Sequence, residues 1–413
     1  MTARCHTSMG SAAKVHAPVA RGECRVCHAP DTGGHVYPLL RPRAESCSTC
    51  HTNASLHGVG HPGMAESDCL SCHDPHTSGA RGLLAGASGQ DVCATCHARA
   101  AAPMMHLSTT GQRCDVCHEA HGSEGAAVLD DGGAAGRCGE CHAAISERYE
   151  RAGHAHRELP GGCMGCHREH GTVASGAPLA IGADLCVSCH KQIGADATSA
   201  TSSHDVVLSG KRCLECHEPH GSRHAGMLKG KEIDVCLSCH DREVKAKNGR
   251  VVASMAALRT APTVHGAVTA GECSACHSVH GGSHARLLNA VNVTAPMGAY
   301  DRRNFALCFS CHDPRLVDSA MVTGFRDGGR NLHELHMRGS ERSGSCAACH
   351  AVHSAEQAML MASSSKFEGS AWSMPLMFTA TDEGGRCGPG CHEPMEYKRR
   401  RSETRPSKTG GVP

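Results

Sequence analysis

Apolar positions along this 413-residue chain follow neither of the short periods that build regular secondary structure. The linkers between cysteines lack the three-and-four spacing of an amphipathic helix and the alternation of a half-buried strand. The pattern predicts short helices at the cysteine clusters, Gly- and Pro-rich coil between them, and little or no β-structure. No run of eighteen apolar residues occurs, so no membrane-spanning helix is expected. Apolar residues do recur on a longer scale. Leu39, Leu84, Leu129, Leu179, Leu228, Leu288 and Met361 each lie about fifteen residues after the first cysteine of a cluster, which marks the chain as a repeat.

Twenty-six of the 29 cysteines form thirteen C-x-x-C pairs, each followed directly by histidine. They are Cys24, Cys27 and His28; Cys47, Cys50 and His51; Cys69, Cys72 and His73; Cys93, Cys96 and His97; Cys114, Cys117 and His118; Cys138, Cys141 and His142; and Cys163, Cys166 and His167. The series continues with Cys186, Cys189 and His190; Cys213, Cys216 and His217; Cys236, Cys239 and His240; Cys273, Cys276 and His277; Cys308, Cys311 and His312; and Cys346, Cys349 and His350. A fourteenth cluster, Cys387-Gly-Pro-Gly-Cys391-His392, has one extra residue between its cysteines, which its two glycines can accommodate.

Alternate clusters differ. Odd-numbered ones continue as C-H-x-x-H, giving His76, His121, His170, His220, His280 and His353; the first lacks this histidine and offers His35 instead. Seven to ten residues before each odd cluster stands another histidine: His16, His61, His106, His156, His204, His265 or His336. The unit is therefore His, C-x-x-C-H-x-x-H, an apolar residue, then a plain C-x-x-C-H. Seven such units span residues 16–392. Five compact ones run through 16–240, and two expanded ones occupy 241–392. Insertions at about 289–307 and 362–386 bring Phe305, Phe367, Trp372 and Phe378, candidates for small side-chain cores or docking surfaces.

The ends read differently. Residues 1–15 look like the remnant of a preceding unit, because Arg4-Cys5-His6 matches the end of a cluster, with Thr2 where the first cysteine belongs. On that reading the chain is the downstream piece of a longer protein, or one with a misplaced start codon, and Cys5 is a single-thioether candidate. Residues 393–413, with Lys398-Arg399-Arg400-Arg401, read as a disordered basic tail.

Composition sharpens the picture. Aromatics are 2% of residues, while Gly numbers 48, Cys 29 and His 34. Side chains of this kind cannot fill the interior of so long a chain, so another group must. Two thiols three residues apart can meet the two vinyl groups of one porphyrin edge, and the adjacent histidine can bind iron from the proximal side. A zinc array would not require histidine after every pair. Structural disulfides stabilise most when they close long loops, which these do not. About fourteen covalent haem c groups are expected. Net charge is +1, but fourteen haems would add roughly twenty-eight propionates, making nucleic acid an unsuitable partner.

Iron takes a sixth ligand, and each unit offers two further histidines for its two haems. His57, His154, His224, His284 and His333 are left over as spares. The second histidine of C-H-x-x-H cannot reach the far face of its own porphyrin, so as a ligand it must serve a neighbouring haem. If that turn were helical, its two Cβ atoms would lie about 5–6 Å apart. Met104, Met105, Met359 and Met361 read as apolar packing against haem edges.

The run Cys213-Leu-Glu-Cys216-His217-Glu-Pro-His220-Gly221 … Met227-Leu228 … Cys236-Leu-Ser-Cys239-His240 resembles the doubled C-x-x-C-H family of multihaem cytochromes c. The resemblance covers units two to seven, and unit one with a substitution. It implies a mainly α, coil-rich, haem-packed fold, bis-histidine ligation, and periplasmic or cell-surface electron transfer in anaerobic respiration. Expected partners are other cytochromes and quinol-linked or outer-membrane electron-transfer complexes, with self-assembly a further option. The alternative is a haem oxidoreductase acting on nitrogen or sulfur oxyanions through an open iron. No cluster ends in Lys in place of His, and surplus histidines favour the electron carrier over an enzyme.

Overall fold

The computed structural model describes residues 6–51, 61, 69–86, 89–97, 114–122, 133–167, 182–207, 213–294, 299–339, 344–366 and 372–399. His57, Met104, Met105, His106, Leu129, His170, Leu179 and Phe367 lie outside them, as does Cys5. The chain divides into two compact units, Met1–Leu185 and Cys186–Pro413. The boundary falls inside the fourth repeat. Ser202 bridges to Gly282, and the helix Lys191–Ser199 runs against Gly281, which draws the end of that repeat into the second unit.

Each of the first thirteen cysteine clusters is one tight helical turn. The backbone N–H of the motif histidine donates to the carbonyl of the first cysteine, as in His28 to Cys24 at 3.0 Å and His217 to Cys213 at 2.9 Å. Such a bond spans four residues, so both thiols and the imidazole emerge from a single turn. Odd clusters are isolated turns, such as Cys69–Ser71 and Cys273–Ala275. Even clusters sit at the end of a short helix, such as Arg43–Ser48, Gly133–Cys141 or Glu232–His240. This is the helix-and-coil pattern expected from the sequence.

After the odd clusters whose following loop is described, the chain doubles back. His73 bridges to Leu84, His217 to Leu228, His277 to Leu288 and His350 to Met361. The reversal uses two consecutive left-handed residues: Gly82–Leu83, Gly226–Met227, Arg286–Leu287 and Met359–Leu360, all at φ between 54° and 68°. Paired positive φ is the signature of a type I′ hairpin turn. The recurring apolar residue therefore marks the backbone position that closes this hairpin.

Expected sparse, the β-structure is a recurrent feature. Two-residue ribbons join successive repeats: Lys14–Val15 with Thr77–Ser78, and Thr263–Val264 with Ser354–Ala355. A four-stranded antiparallel sheet, Ser364–Lys366, Ser373–Ala380, Gly384–Pro389 and Met395–Lys398, occupies the last insertion and the final cluster. This corrects the expectation of little or no β. Met374 and Leu376 alternate into its buried face. Residues 395–398 are likewise a strand with Tyr397 buried, not part of a disordered tail, because Phe325 packs edge-on against the tyrosine ring at 5.1 Å.

Side-chain cores are small. Phe305, Val317 and Met337 form one cluster, with Tyr300, Phe309 and Leu316 against it. Phe305 thus fulfils the expectation for its insertion, whereas Trp372 is exposed.

Candidate haem-ligand constellation

Histidine rings face one another in pairs throughout the described residues. Rings of the even clusters face the histidine that opens their own unit: His51 with His16, His97 with His61, His240 with His204, His312 with His265, and His392 with His336. Rings of the odd clusters face the C-H-x-x-H histidine of the following unit: His28 with His76, His73 with His121, His217 with His280, and His277 with His353. Centroid separations in these nine pairs run from 5.7 to 6.4 Å. His118, His142, His156, His167, His190 and His220 each make at least one further interaction of their own.

That separation tests the haem reading. Metal–imidazole bonds are about 2.0–2.1 Å, and a further ~1 Å separates each nitrogen from its ring centre, so two imidazoles on one ion have centres about 6 Å apart. The observed centroid separations match that distance. Both near-parallel planes (16° for His28 and His76) and crossed ones (84° for His61 and His97) satisfy that requirement, since a ring can turn about its bond to the metal.

Hydrogen bonding sets which nitrogen is left available to a metal. Nδ1 of His28, His73, His217, His277 and His350 lies 2.7–3.1 Å from the carbonyl oxygen nine residues on, contributed by Tyr37, Gly82, Gly226, Arg286 and Met359. A carbonyl only accepts, so Nδ1 carries the proton and Nε2 keeps its lone pair for a metal. This is what the hairpin turn positions. Opposing rings are held likewise, His16 Nδ1 by Pro75 O and His204 Nδ1 by Val279 O, each at 3.0 Å. Burial, followed by the neighbouring imidazoles, lowers the pKa of His240, His280 and His353 below the usual value. The neutral ring is the ligating form.

The C-H-x-x-H segment is a bend or turn, not helical as one reading of its spacing allowed. In Cys72-His73-Asp74-Pro75-His76, proline disfavours helical geometry at the preceding residue. Asp74 then accepts the backbone N–H groups of His76 at 2.8 Å and Thr77 at 3.1 Å, turning the chain. His73 and His76 therefore serve two successive pairs. The N–H of His16 donates to the His76 carbonyl at 2.9 Å, and that of His265 to His353 at 3.0 Å, which ties pairs of both kinds together.

Glycine follows His121, His220 and His280, and Gly281 has φ of 145°. A Cβ there would run into the Asp196 carbonyl oxygen and lie 3.0 Å from Ala200 Cβ. Gly281→Ala is expected to lower stability of the mature protein by about 1–3 kcal/mol, read as a reduced denaturant midpoint at unchanged haem content. An unshifted midpoint would mean that the turn is not under constraint.

Two features escaped the sequence reading. His333, counted as a spare, faces His350 at 6.5 Å. It takes the place that, for other odd clusters, belongs to the C-H-x-x-H histidine of the following unit. His333 and His336 share the helix Leu332–Arg338, capped by the Asn331 side chain, and Phe325 packs on both rings. Thr323 Oγ1 lies 2.8 Å from His333 Nδ1, and burial followed by His350 and His336 lowers the His333 pKa to about 4. Its H-x-x-H spacing was the available signal. At the other end, His6 faces His35 at 5.6 Å. His154 is exposed, and His224 and His284 lie in the hairpin loops.

Thiols of successive clusters also meet. Cys47 contacts Cys69, Cys93 contacts Cys114, Cys236 contacts Cys273, and Cys308 contacts Cys346. Glu232, Cys236 and Cys273 could hold a metal ion, but each cysteine is also half of a C-x-x-C-H turn. The fourteenth cluster departs from the rest, with Cys387 in a strand opposite Phe378 and Met395.

A family model described as the doubled CXXCH motif matches residues 16–56, 61–102, 106–147, 156–195, 204–245 and 265–316. No curated protein matches the chain. The six matches begin at the opening histidine of each of the first six repeats.

Proposed function

Because the chain belongs to the doubled CXXCH motif family of multihaem c-type cytochromes, we propose that it carries about fourteen haems with mostly bis-histidine ligation and conducts electrons along them. The reading rests on one observation above all, the recurrent facing of motif and non-motif imidazoles about 6 Å apart. Covalent haem c supplies a one-electron iron couple, held comparatively reducing by two imidazoles.

The polypeptide's work is attachment, tautomer control and spacing. Each turn presents two thiols and an imidazole, each hairpin carbonyl fixes a proximal ring, and each C-H-x-x-H segment joins two successive ring pairs. Contacts between thiols of adjacent clusters favour close approach of the porphyrin edges they anchor. At the end of the odd series, His333 is the sixth ligand for the cluster at Cys346–His350.

Thioether attachment of haem c takes place outside the cytoplasm, which supports a periplasmic or cell-surface site and respiratory partners such as other cytochromes. No described helix is long and apolar enough to cross a membrane.

Intact-mass spectrometry and a pyridine haemochrome assay of protein matured in a host with haem-attachment machinery test this reading. About fourteen covalent haems, all low-spin, are expected. Few or none would refute it, and a stoichiometric high-spin haem that turns over an oxyanion would favour the enzyme. His333→Ala is expected to convert one iron to a high-spin, carbon monoxide-binding form at unchanged haem count; an unaltered spectrum would remove His333 from the ligand set.

A further inference from the structure

We propose that His6 and His35 are the axial ligands of an additional haem, held by a single thioether to Cys5. This inference rests on the multihaem reading and extends it to a position that has no C-x-x-C pair.

The two rings lie 5.6 Å apart and within 10° of parallel, close to the separation shared by the other ring pairs. His6 Nε2 is buried and has no hydrogen-bond partner, an arrangement costly for a polar nitrogen unless something else engages it. A metal in the gap would.

His35 is held in place at some expense. Its φ is 62°, and it follows Gly33 at 110° and Gly34 at 71°. A left-handed histidine backbone is uncommon, and such strain tends to persist where the surroundings over-determine it. Here Asp31 Oδ1 accepts the N–H groups of Gly33 at 2.9 Å and Val36 at 3.0 Å, closing the loop. Tyr37 packs edge-on against His35 at 5.2 Å, while its carbonyl accepts from His28 Nδ1. One loop thus fixes His35 and the proximal ring of the first full cluster. It also accounts for the missing C-H-x-x-H histidine of the first repeat, since His35 supplies the imidazole from a different loop position.

Attachment needs no oxidant. The Cys5 S–H adds across one vinyl C=C of the porphyrin: a C–S and a C–H bond form, while the S–H bond and the vinyl π bond are lost. The second vinyl stays intact, because Thr2 stands where the repeat has a cysteine.

The test counts haems on the mature full chain by native and denaturing mass spectrometry, for wild type and for Cys5→Ala, His6→Ala and His35→Ala. Fifteen in both modes for wild type, with Cys5→Ala falling to fourteen under denaturing conditions, supports the proposal. His35→Ala should keep fifteen and gain one high-spin, carbon monoxide-binding iron. Fifteen native but fourteen denatured would retain the ligand pair and overturn the thioether. Fourteen in both modes, with His6→Ala and His35→Ala spectra unchanged, overturns the proposal and leaves the multihaem reading intact; near-zero haem would defeat that broader reading itself.

Discussion

Without attached haem, the chain is expected to have no cooperative unfolding transition. Only a dozen apolar side chains are buried among the described residues, and five of them are alanines: Ala80, Ala152, Ala197, Ala348 and Ala355. Val317 alone among them is a large side chain fully withdrawn from solvent. Such a core cannot offset the entropy of ordering several hundred residues. The interior must come from porphyrin faces, and their removal leaves hairpins and single turns that are unstable in isolation. Protein expressed without attachment machinery should give a coil-like circular dichroism spectrum, no thermal transition, and rapid proteolysis. Residual protection is expected only where side chains pack on each other, around Phe305, Val317 and Met337, and in the sheet at Met374, Leu376 and Tyr397. A cooperative transition in the haem-free protein, matching that of the mature form, would refute the idea of a porphyrin interior.

Replacing His280 is the second change with a large expected effect. Its ring faces His217 at 6.0 Å, and its neighbour in the same segment, His277, faces His353. His280→Ala should open one coordination position without loss of haem, giving one high-spin iron that binds carbon monoxide. His280→Met should keep that iron six-coordinate but raise its potential, because thioether ligation favours Fe(II) relative to imidazole. The expected shift is on the order of 0.1 V or more, a fraction of the ~0.8 V range that axial ligands span. One step in the series then becomes a trap, and reduction through the chain should slow. His284→Ala serves as the control, since its ring lies in a neighbouring hairpin loop outside these pairs. A single-haem potential unmoved by His280→Met in redox titration would remove His280 from the coordination sphere.

The chemistry was legible in the chain because attachment is local. Two thiols and an imidazole must leave one turn, so C-x-x-C-H carries its own geometry. The same locality made the repeat and the spaced histidines visible, and even the hairpin that fixes Nδ1 leaves a trace, as the apolar residue eleven positions after His73, His217 and His277. Glycine is not demanded at the first left-handed position of that hairpin, where Arg286 and Met359 stand in two repeats. It therefore gives no clean signal.

The terminal sheet was hidden for a different reason. Along Ser373–Ala380 the outward Met377 is as apolar as the inward Met374 and Leu376, so burial alternates while the sequence does not. Pro375 further disguises a strand, yet here it is tolerated opposite Ser364. Residues 395–398 carry a single buried anchor, Tyr397, and its burial depends on Phe325, some seventy residues earlier.

What the sequence determined by itself is which groups can attach a porphyrin and which imidazoles stand ready nearby, because covalent spacing along the backbone fixes both. Only the tertiary structure decided that His28 faces His76 of the next repeat, that His51 faces His16 of its own, and that His333 faces His350. Those choices come from ribbons and helices that bring distant segments together, and a pairing set by distance through space has no period along the chain.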